Sequence, residues 1–269
     1  MVRFRSPPKA IQSNWEGGRV QRIVLLSIVC VLLTVLSLPG CRSSGNTIVT
    51  FPDPNLETAI REALNKPSGS IYASELAVLA SLSTHTFNRG IKSLSGLQYC
   101  TNLTDLYLGS NQISDVSPLA NLTKLTELEL FGNQIGDISA LANLVNLTDL
   151  QLWANQISDV SPLASLTNLA HLDLATNQIG GISPLGNLTM LTELWLSDNQ
   201  ITDISPLASL ANLTYLHLEG NQIDDIGPLV ENGGLSQGDS VVLYGNPLSS
   251  DSINIYIPQL EARGVTVEY

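Results

Sequence analysis

The apolar residues between Leu103 and Gly234 recur with a period of 22 positions. Each repeat opens with the pattern LxxLxLxxNQI, which reads LTDLYLGSNQI from Leu103 and LTELWLSDNQI from Leu191. A fixed period of this length is typical of a solenoid, in which every repeat forms one coil of a continuous stack. Six repeats align without a gap: 103–124, 125–146, 147–168, 169–190, 191–212 and 213–234.

The apolar spacing changes half way through each repeat. In the first repeat Leu106 and Leu108 alternate with polar residues, which predicts a short strand with both leucines pointing inward. The step then lengthens to three residues, which predicts tight turns of 3₁₀ type rather than an α-helix. Prolines in this return half also oppose a long helix. They are Pro118, Pro162, Pro184, Pro206 and Pro228.

Two polar columns accompany the apolar pattern. Asn111 and its copies stand at the corner after the strand, where they can bond the backbone of their own and adjacent coils as a ladder. A column of aspartates stands at the entry to the return turn, and each can cap a backbone N–H two residues further on. A column of bound calcium ions is the alternative. The aspartates are Asp115, Asp137, Asp159, Asp203 and Asp225.

Both ends of the stack need caps, because a bare end coil would expose apolar core and a strand edge. Asp53 and Pro54 predict the start of a helix with Leu56, Ile60 and Leu64 on one face. A second short helix is expected near 73–82. A degenerate first coil then runs through Cys100, so that the amino-terminal cap and this coil together cover 49–102.

The carboxyl-terminal cap is expected over 235–269. Residues 240–248, SVVLYGNPL, read as a degenerate last coil that keeps its asparagine at position 246. Asp251 then predicts a helix with Ile253, Ile257 and Leu260 as its apolar residues, and Gly264 ends it. The segment VTV at 265–267 predicts a last parallel strand.

The amino end of the chain has the pattern of an export signal. Residues 1–22 carry five basic residues and one acid, and an unbroken apolar run follows at 23–38. We expect a signal peptide over 1–40 and a short tether over 41–48. An uncleaved signal anchor is the alternative, although this run is shorter than the roughly 20 residues of a spanning helix. Both readings place residues 42–269 outside the cytoplasm.

Two resemblances extend these readings. The sequence LPGC at 38–41 resembles the lipobox of bacterial lipoproteins, which implies that Cys41 is acylated and holds the chain in the outer leaflet, or in an outer membrane where one exists. The 22-residue period, the DxSPLxNL return half and the helical cap resemble the internalin-type leucine-rich repeats of bacterial surface proteins, over about 51–248.

The internalin-type resemblance implies an α/β solenoid. This is a right-handed coil with a parallel sheet on the concave face, short 3₁₀ turns on the convex face, a helical amino-terminal cap and a helix-plus-strand carboxyl-terminal cap. Adhesive members of that family usually continue into an immunoglobulin-like domain and a wall-sorting signal. This chain shows neither, so host-cell invasion is not expected.

Charge and cysteine content narrow the function. Residues 41–269 contain seven basic and 23 acidic residues, a formal charge of −16, and Lys124 is the only Lys or Arg between 103 and 231. Nucleic-acid binding is therefore not expected, because it depends on neutralising phosphates with Lys and Arg. Cys100 falls on an inward position and is expected to be a small buried apolar residue.

Recognition is predicted on the outward strand positions, which vary while the scaffold around them repeats. Aromatic and acidic residues alternate there, and Trp and Tyr are frequent anchors of protein interfaces. We expect the pairs Phe131–Trp153 and Trp195–Tyr215 to form patches. The candidate binding residues are Tyr107, Glu127, Glu129, Phe131, Asp149, Trp153, His171, Asp173, Glu193, Trp195, Tyr215, His217 and Glu219.

These positions favour a non-enzymatic, monomeric binding module for a basic protein or peptide. A scaffolding lipoprotein of the envelope and a carbohydrate-binding surface protein are the alternatives. His171 is expected to pair with Glu193 one coil away, but no third group orients a catalytic base. His171 and His217 are two coils apart, roughly 10 Å, which is too far to share a metal ion. No catalytic residue, metal or cofactor is expected.

Overall fold

Short strands line one side of the protein in this computed structural model, which describes residues 47–84 and 90–269. Nine of them, β3 to β11, form one parallel sheet in chain order, while β1 and β2 form a separate antiparallel pair. The strands are β1 (Ile48–Val49), β2 (Ile71–Tyr72), β3 (Ser81–Ser83), β4 (Asp105–Tyr107), β5 (Glu127–Glu129), β6 (Asp149–Gln151), β7 (His171–Asp173), β8 (Glu193–Trp195), β9 (Tyr215–His217), β10 (Ser240–Val242) and β11 (Thr266–Glu268).

Residues that pair in neighbouring strands are separated by the length of one sequence repeat. Leu106 lies opposite Leu128, which lies opposite Leu150, so each residue of β4 to β9 pairs with its copy 22 positions away. The middle leucine of each strand from β4 to β9 is buried, whereas its two neighbours are exposed or partly exposed. The predicted alternation along each strand is therefore confirmed.

The return half of each coil is a tight turn, as the three-residue apolar step predicts. In the first repeat Leu119 N–H donates to the Val116 carbonyl at 2.9 Å, which is the i to i+3 bond of a 3₁₀ turn. The last repeat forms a short helix, α3 (Gly227–Glu231), in the same place. The 3₁₀ segments are Leu97–Tyr99, Ser117–Leu119, Ser139–Leu141, Ser161–Ser165, Ser183–Asn187 and Ser205–Ser209.

All coils share one continuous apolar core, to which each repeat adds leucines, isoleucines or valines that are almost fully buried. Cys100 belongs to this core and is 0% exposed, and burial raises the pKa of its thiol to about 12. A thiol held in its neutral form is a poor nucleophile, because the thiolate is the reactive species. The prediction that Cys100 is a small buried apolar residue is confirmed.

The asparagine ladder is confirmed in detail. The Nδ2 amide of Asn133 donates to the carbonyls of Leu108 at 3.1 Å and Leu130 at 2.9 Å, and its Oδ1 accepts from Ile113 N–H at 3.0 Å. One side chain therefore pairs backbone groups of its own coil and of the preceding coil. The same contacts recur at Asn155, Asn177, Asn199, Asn221 and Asn246.

The aspartate column caps the return turns. Asp115 Oδ1 accepts from Ser117 N–H at 2.8 Å, and the copies at Asp137, Asp159, Asp203 and Asp225 repeat this bond. Hydrogen bonds from the backbone N–H and the hydroxyl of Ser139 lower the pKa of Asp137. The capping interpretation is confirmed.

A further ladder was not predicted. Where an asparagine directly precedes the first leucine of a repeat, its side-chain amide donates to a carbonyl of the preceding coil. Asn146 bonds the Thr123 carbonyl at 2.7 Å, and Asn212 bonds the Thr189 carbonyl at 2.7 Å. The recurrence of these asparagines therefore has a structural reason that the apolar pattern does not show.

The amino-terminal cap is a helix, α1 (Pro54–Ala63), attached to the first coil by one aspartate. Asp53 Oδ1 accepts from Asn55 N–H and Leu56 N–H, which caps the helix as predicted. Its Oδ2 accepts from Lys92 N–H at 2.6 Å and Ser93 N–H at 3.1 Å. Burial opposes the charge of this carboxylate, but the hydrogen bonds from these backbone groups lower its pKa.

Two predictions for this region are wrong. The second helix, expected near 73–82, covers only α2 (Ala73–Leu76), and the chain then forms strand β3. Leu82 is 1% exposed and lies opposite Leu106, so pairing with the sheet determines the local structure there. Ile48 was expected in the tether but pairs with Tyr72 in the β1–β2 pair.

The carboxyl-terminal cap follows the predicted order with small differences. A π-helical turn (Ser252–Tyr256) leads into α4 (Ile257–Ala262), because Pro258 lacks the N–H of a regular helical bond. Ile257 and Leu260 are buried, but Ile253 is 39% exposed, so its place on the apolar face was wrong. Gly264, at φ 88°, ends the helix, and β11 pairs parallel with β10.

The predicted signal peptide (1–40) and the acylated Cys41 lie outside the described residues. The division of the chain into signal, tether, caps and repeats stays a prediction. None of the helices within residues 47–84 and 90–269 is long and apolar enough to cross a membrane.

Replacing Asn155 by alanine should strongly destabilise the stack. The change leaves Ile135 N–H without its partner, and an unpaired buried group costs about 1–3 kcal/mol. It also removes one of the two side-chain donors from the Leu130 and Leu152 carbonyls, which keep their bonds from Asn133 and Asn177. We expect the free energy of unfolding in urea to fall by about 2 kcal/mol or more. Gln156→Ala is the matched control, because this neighbouring side chain is exposed. An equal loss in both variants would contradict a structural role for the ladder.

Candidate functional site

The outward side chains of the strands form three parallel columns, here called the concave face. The structure brings the candidate residues together on this face, because β4 to β9 pair in perfect register. The first column is Asp105, Glu127, Asp149, His171, Glu193 and Tyr215. The second is Tyr107, Glu129, Gln151, Asp173, Trp195 and His217. The third follows the strands and is Gly109, Phe131, Trp153, Ala175, Ser197 and Glu219.

The first predicted aromatic patch is confirmed as a stack of two rings. Phe131 and Trp153 lie one coil apart with their ring centroids 4.6 Å apart and their planes 3° from parallel. Gly109 makes room for this stack, because a Cβ at that position would come within 2.5 Å of the Phe131 ring. Trp153 is 37% exposed and lies at the far end of the stack from Gly109.

The second predicted patch has a different composition. Trp195 pairs across the sheet with His217, and their rings stack at 5.9 Å and 18°. Tyr215, which was expected beside Trp195, pairs instead with Glu193 and is 49% exposed. Trp195 and Tyr215 belong to different columns, and the ring that stacks on Trp195 is that of His217. A patch of Trp195 with Tyr215 stays a prediction.

Histidine–carboxylate contacts join neighbouring positions of the face. His171 Nδ1 lies 3.2 Å from Glu193 Oε2, as predicted from their places in the first column. His217 Nδ1 lies 3.5 Å from Glu219 Oε1, a contact within one coil that was not predicted. The Tyr107 hydroxyl donates to Glu127, and burial together with this carboxylate raises the pKa of Tyr107.

Asp173 is the least solvated acid of the second column. Its Oδ1 accepts from Ala175 N–H at 3.0 Å, which favours the charged form. Burial nevertheless raises the pKa of Asp173 to about 6 from its usual 3.8, and the negative charges of Asp149 and Glu219 add to this effect while His217 opposes it. The carboxylate is therefore charged at neutral pH in an environment that disfavours its charge.

Glu219, at the end of the third column, is also a carboxylate in an environment that opposes its charge. Burial opposes its charge, but hydrogen bonds from His217, its own backbone and Ser197 lower its pKa. Its Oε2 is nevertheless buried without a hydrogen-bond partner among the described residues. A buried acceptor without a donor is unfavourable for stability.

The arrangement does not resemble a hydrolytic centre. His217 and Ser197 both bond Glu219, whereas a serine nucleophile needs the imidazole itself as its base. Within the described part of the chain, no group of three or more His, Cys, Asp or Glu residues could hold a metal ion. The geometry is that of a recognition surface made of rings and carboxylates.

The repeated coils, the parallel sheet and the short convex turns define a leucine-rich repeat protein. A family model described as leucine rich repeats (2 copies) matches residues 101–143, 123–165, 145–187 and 189–231. The solved structure of internalin C2 from Listeria monocytogenes is 42% identical, with a TM-score of 0.71 over 81% of this chain and 94% of that one. The chain belongs to the internalin family.

Other relatives agree on the fold. The internalin inlF of Listeria monocytogenes is 36% identical, with a TM-score of 0.62 over 81% of this chain and 68% of that chain. The functional domain of InlJ from the same organism is 21% identical with a TM-score of 0.57, which supports the fold alone. Internalin C of Listeria monocytogenes is 29% identical over 101 residues, 36% of this chain and 34% of that protein, so the match spans about a third of that relative.

Replacing Asp173 by asparagine should stabilise the protein at neutral pH. Because its folded pKa is raised, ionisation is easier in the unfolded chain, so the unfavourable contribution of Asp173 grows as the pH rises from about 4 to 6 and is constant above. Asparagine keeps an acceptor for Ala175 N–H without the charge. We expect a gain of roughly 1–2 kcal/mol at pH 7.5, after allowance for solvent screening of a partly exposed group.

The measurement is urea unfolding of both proteins between pH 3.5 and 7.5. The difference between them should disappear near pH 3.5, where Asp173 is protonated in both states. Asp137→Asn is the control, because the pKa of that carboxyl is lowered and its removal should not stabilise. A variant less stable than the wild type at pH 7.5 would contradict the unfavourable charge of Asp173.

Proposed function

We propose that this protein is a non-enzymatic binding module of the cell surface, whose concave face captures a basic protein or peptide. Leucine-rich repeat proteins of the internalin type generally mediate protein–protein binding, which supports the class of function. The observation that carries the proposal is the exposed ring stack of Phe131 and Trp153, set among carboxylates on the face where the repeats differ.

The negative charge of the concave face supports a basic partner. Seven acids stand in the three columns between β4 and Glu219, and no lysine or arginine stands among them. Lys124 lies outside the columns, where its Nζ contacts Asn102 Oδ1 at 2.6 Å. A surface of one sign attracts a partner of the opposite sign and speeds its encounter, an effect that weakens with salt.

The aromatic residues supply anchors within this acidic surface. Trp153 and Trp195 lie in neighbouring columns two coils apart, roughly 10 Å along the stack. Buried Trp and Tyr side chains dominate the free energy of many interfaces, and the surrounding polar residues mainly exclude water. We infer that Trp153 and Trp195 are the principal anchors and that the candidate acids orient the partner.

The proposal also states where the protein is located in the cell and that it is a monomer. The basic and apolar pattern of 1–38 and the LPGC sequence support export and anchoring in the cell envelope through acylated Cys41. A monomer without cofactor, metal or nucleic acid is the proposed form.

Carbohydrate binding is the second candidate, since stacked rings beside carboxylates also suit sugars. A purely scaffolding lipoprotein is the third, in which the acids only keep the face soluble.

Trp153→Ala together with Trp195→Ala should abolish capture of the partner by residues 42–269, whose described coils and caps share one core. Loss of two anchors should weaken binding by more than about thirtyfold, because the loss of a single hot-spot residue already costs about 2 kcal/mol, or about thirtyfold. The measurement is an unbiased pull-down at low and moderate salt, followed by titration of the recovered partner.

Val145→Ala is the matched control, because this apolar side chain is 43% exposed but lies outside the strands. Thermal melting of each variant should show an intact fold, with a loss of about 1 kcal/mol from the broken ring stack. Recovery of the same partners by the double variant and the wild type would show that the concave face is not the binding surface. Capture of glycans alone would favour the second candidate.

A further inference from the structure

The third column of the concave face contains a notch at Ala175. The Phe131 ring lies against Gly109 and Trp153 stacks on Phe131, but the next coil presents only the methyl group of Ala175. Ser197, the following member of the column, is short and 7% exposed. One face of the Trp153 indole is thus covered by Phe131, whereas the coil on its other side offers no ring.

The size of this notch suits a flat group. Successive coils are roughly 4.8 Å apart, and the Phe131–Trp153 stack fills one such interval at 4.6 Å. A planar group above Ala175 would therefore lie in stacking contact with Trp153 and continue the row of rings. Position 175 is the place in the column where the third layer of the stack is missing.

A carboxylate stands directly beside the notch. Asp173 precedes Ala175 by two residues on the same face, and its Oδ1 is fixed by Ala175 N–H at 3.0 Å. Its Oδ2 accepts no hydrogen bond from the described residues. The notch therefore combines an aromatic face with one carboxylate oxygen, Asp173 Oδ2, that can accept from a ligand.

The chemistry of these groups selects one side chain. A guanidinium is planar, stacks on indole and donates parallel hydrogen bonds to a carboxylate. A lysine ammonium is compact and strongly hydrated, so it gains less from the ring face. An aromatic ligand would cover Asp173 further and leave its charge without a partner, which is unfavourable.

We propose that the notch over Ala175 is a recognition site for an arginine side chain of the partner, with its guanidinium stacked on Trp153 and paired with Asp173. The proposal rests on the proposed function and makes it specific: the concave face distinguishes arginine from lysine. The raised pKa of Asp173 agrees with this role, because a bound cation would stabilise the charge that burial disfavours.

The test uses three fluorescein-labelled nine-residue peptides, of alternating glycine with arginine, lysine or citrulline. Binding to residues 42–269 is measured by fluorescence anisotropy at pH 7.5 and moderate salt, where exposed long-range charge attraction is largely screened. We expect the arginine peptide to bind at least about tenfold more tightly than the lysine peptide of equal charge, which corresponds to about 1.4 kcal/mol. The citrulline peptide, planar but uncharged, should bind more weakly than either.

Ala175→Leu is the decisive variant, because it fills the notch without changing the charge of the protein. It should reduce the preference for arginine over lysine to less than about twofold, while the lysine peptide keeps its affinity. Asp173→Asn should also remove most of the preference. Asp137→Asn is the charge-matched control, because it removes one charge from a return turn outside the sheet and should keep the full preference.

Equal binding of arginine and lysine peptides by the wild type, or an undiminished arginine preference in Ala175→Leu, would overturn the arginine site. The proposed function is tested separately, by the tryptophan double variant. If Trp153→Ala with Trp195→Ala still loses the natural partner, the concave face binds but not through an arginine in this notch. If the arginine preference is present and the double variant keeps its partner, the notch is real and the proposed function is wrong.

Discussion

The pairing of backbone groups at the corner of each coil is the constraint on which the rest of the structure depends. A chain that turns sharply after a three-residue strand leaves carbonyl and N–H groups that cannot reach a partner in their own strand. The corner asparagine pairs groups of two coils at once, as Asn133 does with Leu108, Leu130 and Ile113. Adjacent coils are thereby held at one spacing, and the shared leucine core follows from that spacing.

This rigid frame separates the scaffold from the recognition surface. The corner asparagine, the inward leucines and the turn aspartates are all committed to contacts between or within coils, so their substitution disturbs the stack. The outward strand positions contribute to neither the leucine core nor the asparagine ladder, so they can differ from coil to coil. They can also hold unfavourable groups, as Asp173 shows, because the stability of the frame exceeds the cost of one poorly solvated carboxylate. A site of this kind gives up some stability to gain complementarity with a charged partner.

The sequence predicted the architecture well because one pattern, repeated at a fixed period, determines strand, turn and register together. The candidate columns followed from that register. Prediction was poorer where the pattern stops: Ser81–Ser83 formed a strand through pairing with β4, and Ile253 lies in a π-helical turn, where the spacing of a regular helix does not hold. The Trp195–His217 stack was not predicted, because the expected patches combined only Phe, Trp and Tyr rings. The notch at Ala175 depends on the orientation of the Phe131 and Trp153 rings, which no linear pattern contains.

The exact match between sequence period and sheet register has a consequence for how such a molecule can change. Removing residues 125–146 would bring β4 next to β6, with Leu106 facing Leu150 and Asn155 in the place of Asn133. At the junction, the shortened chain would form the same hydrogen bonds from the corner asparagine and the same leucine core. It would, however, lose Phe131 and place Trp153 against Gly109. Gain or loss of the DNA that encodes one whole repeat could therefore change the ligand-binding surface in one step, while the chain still folds.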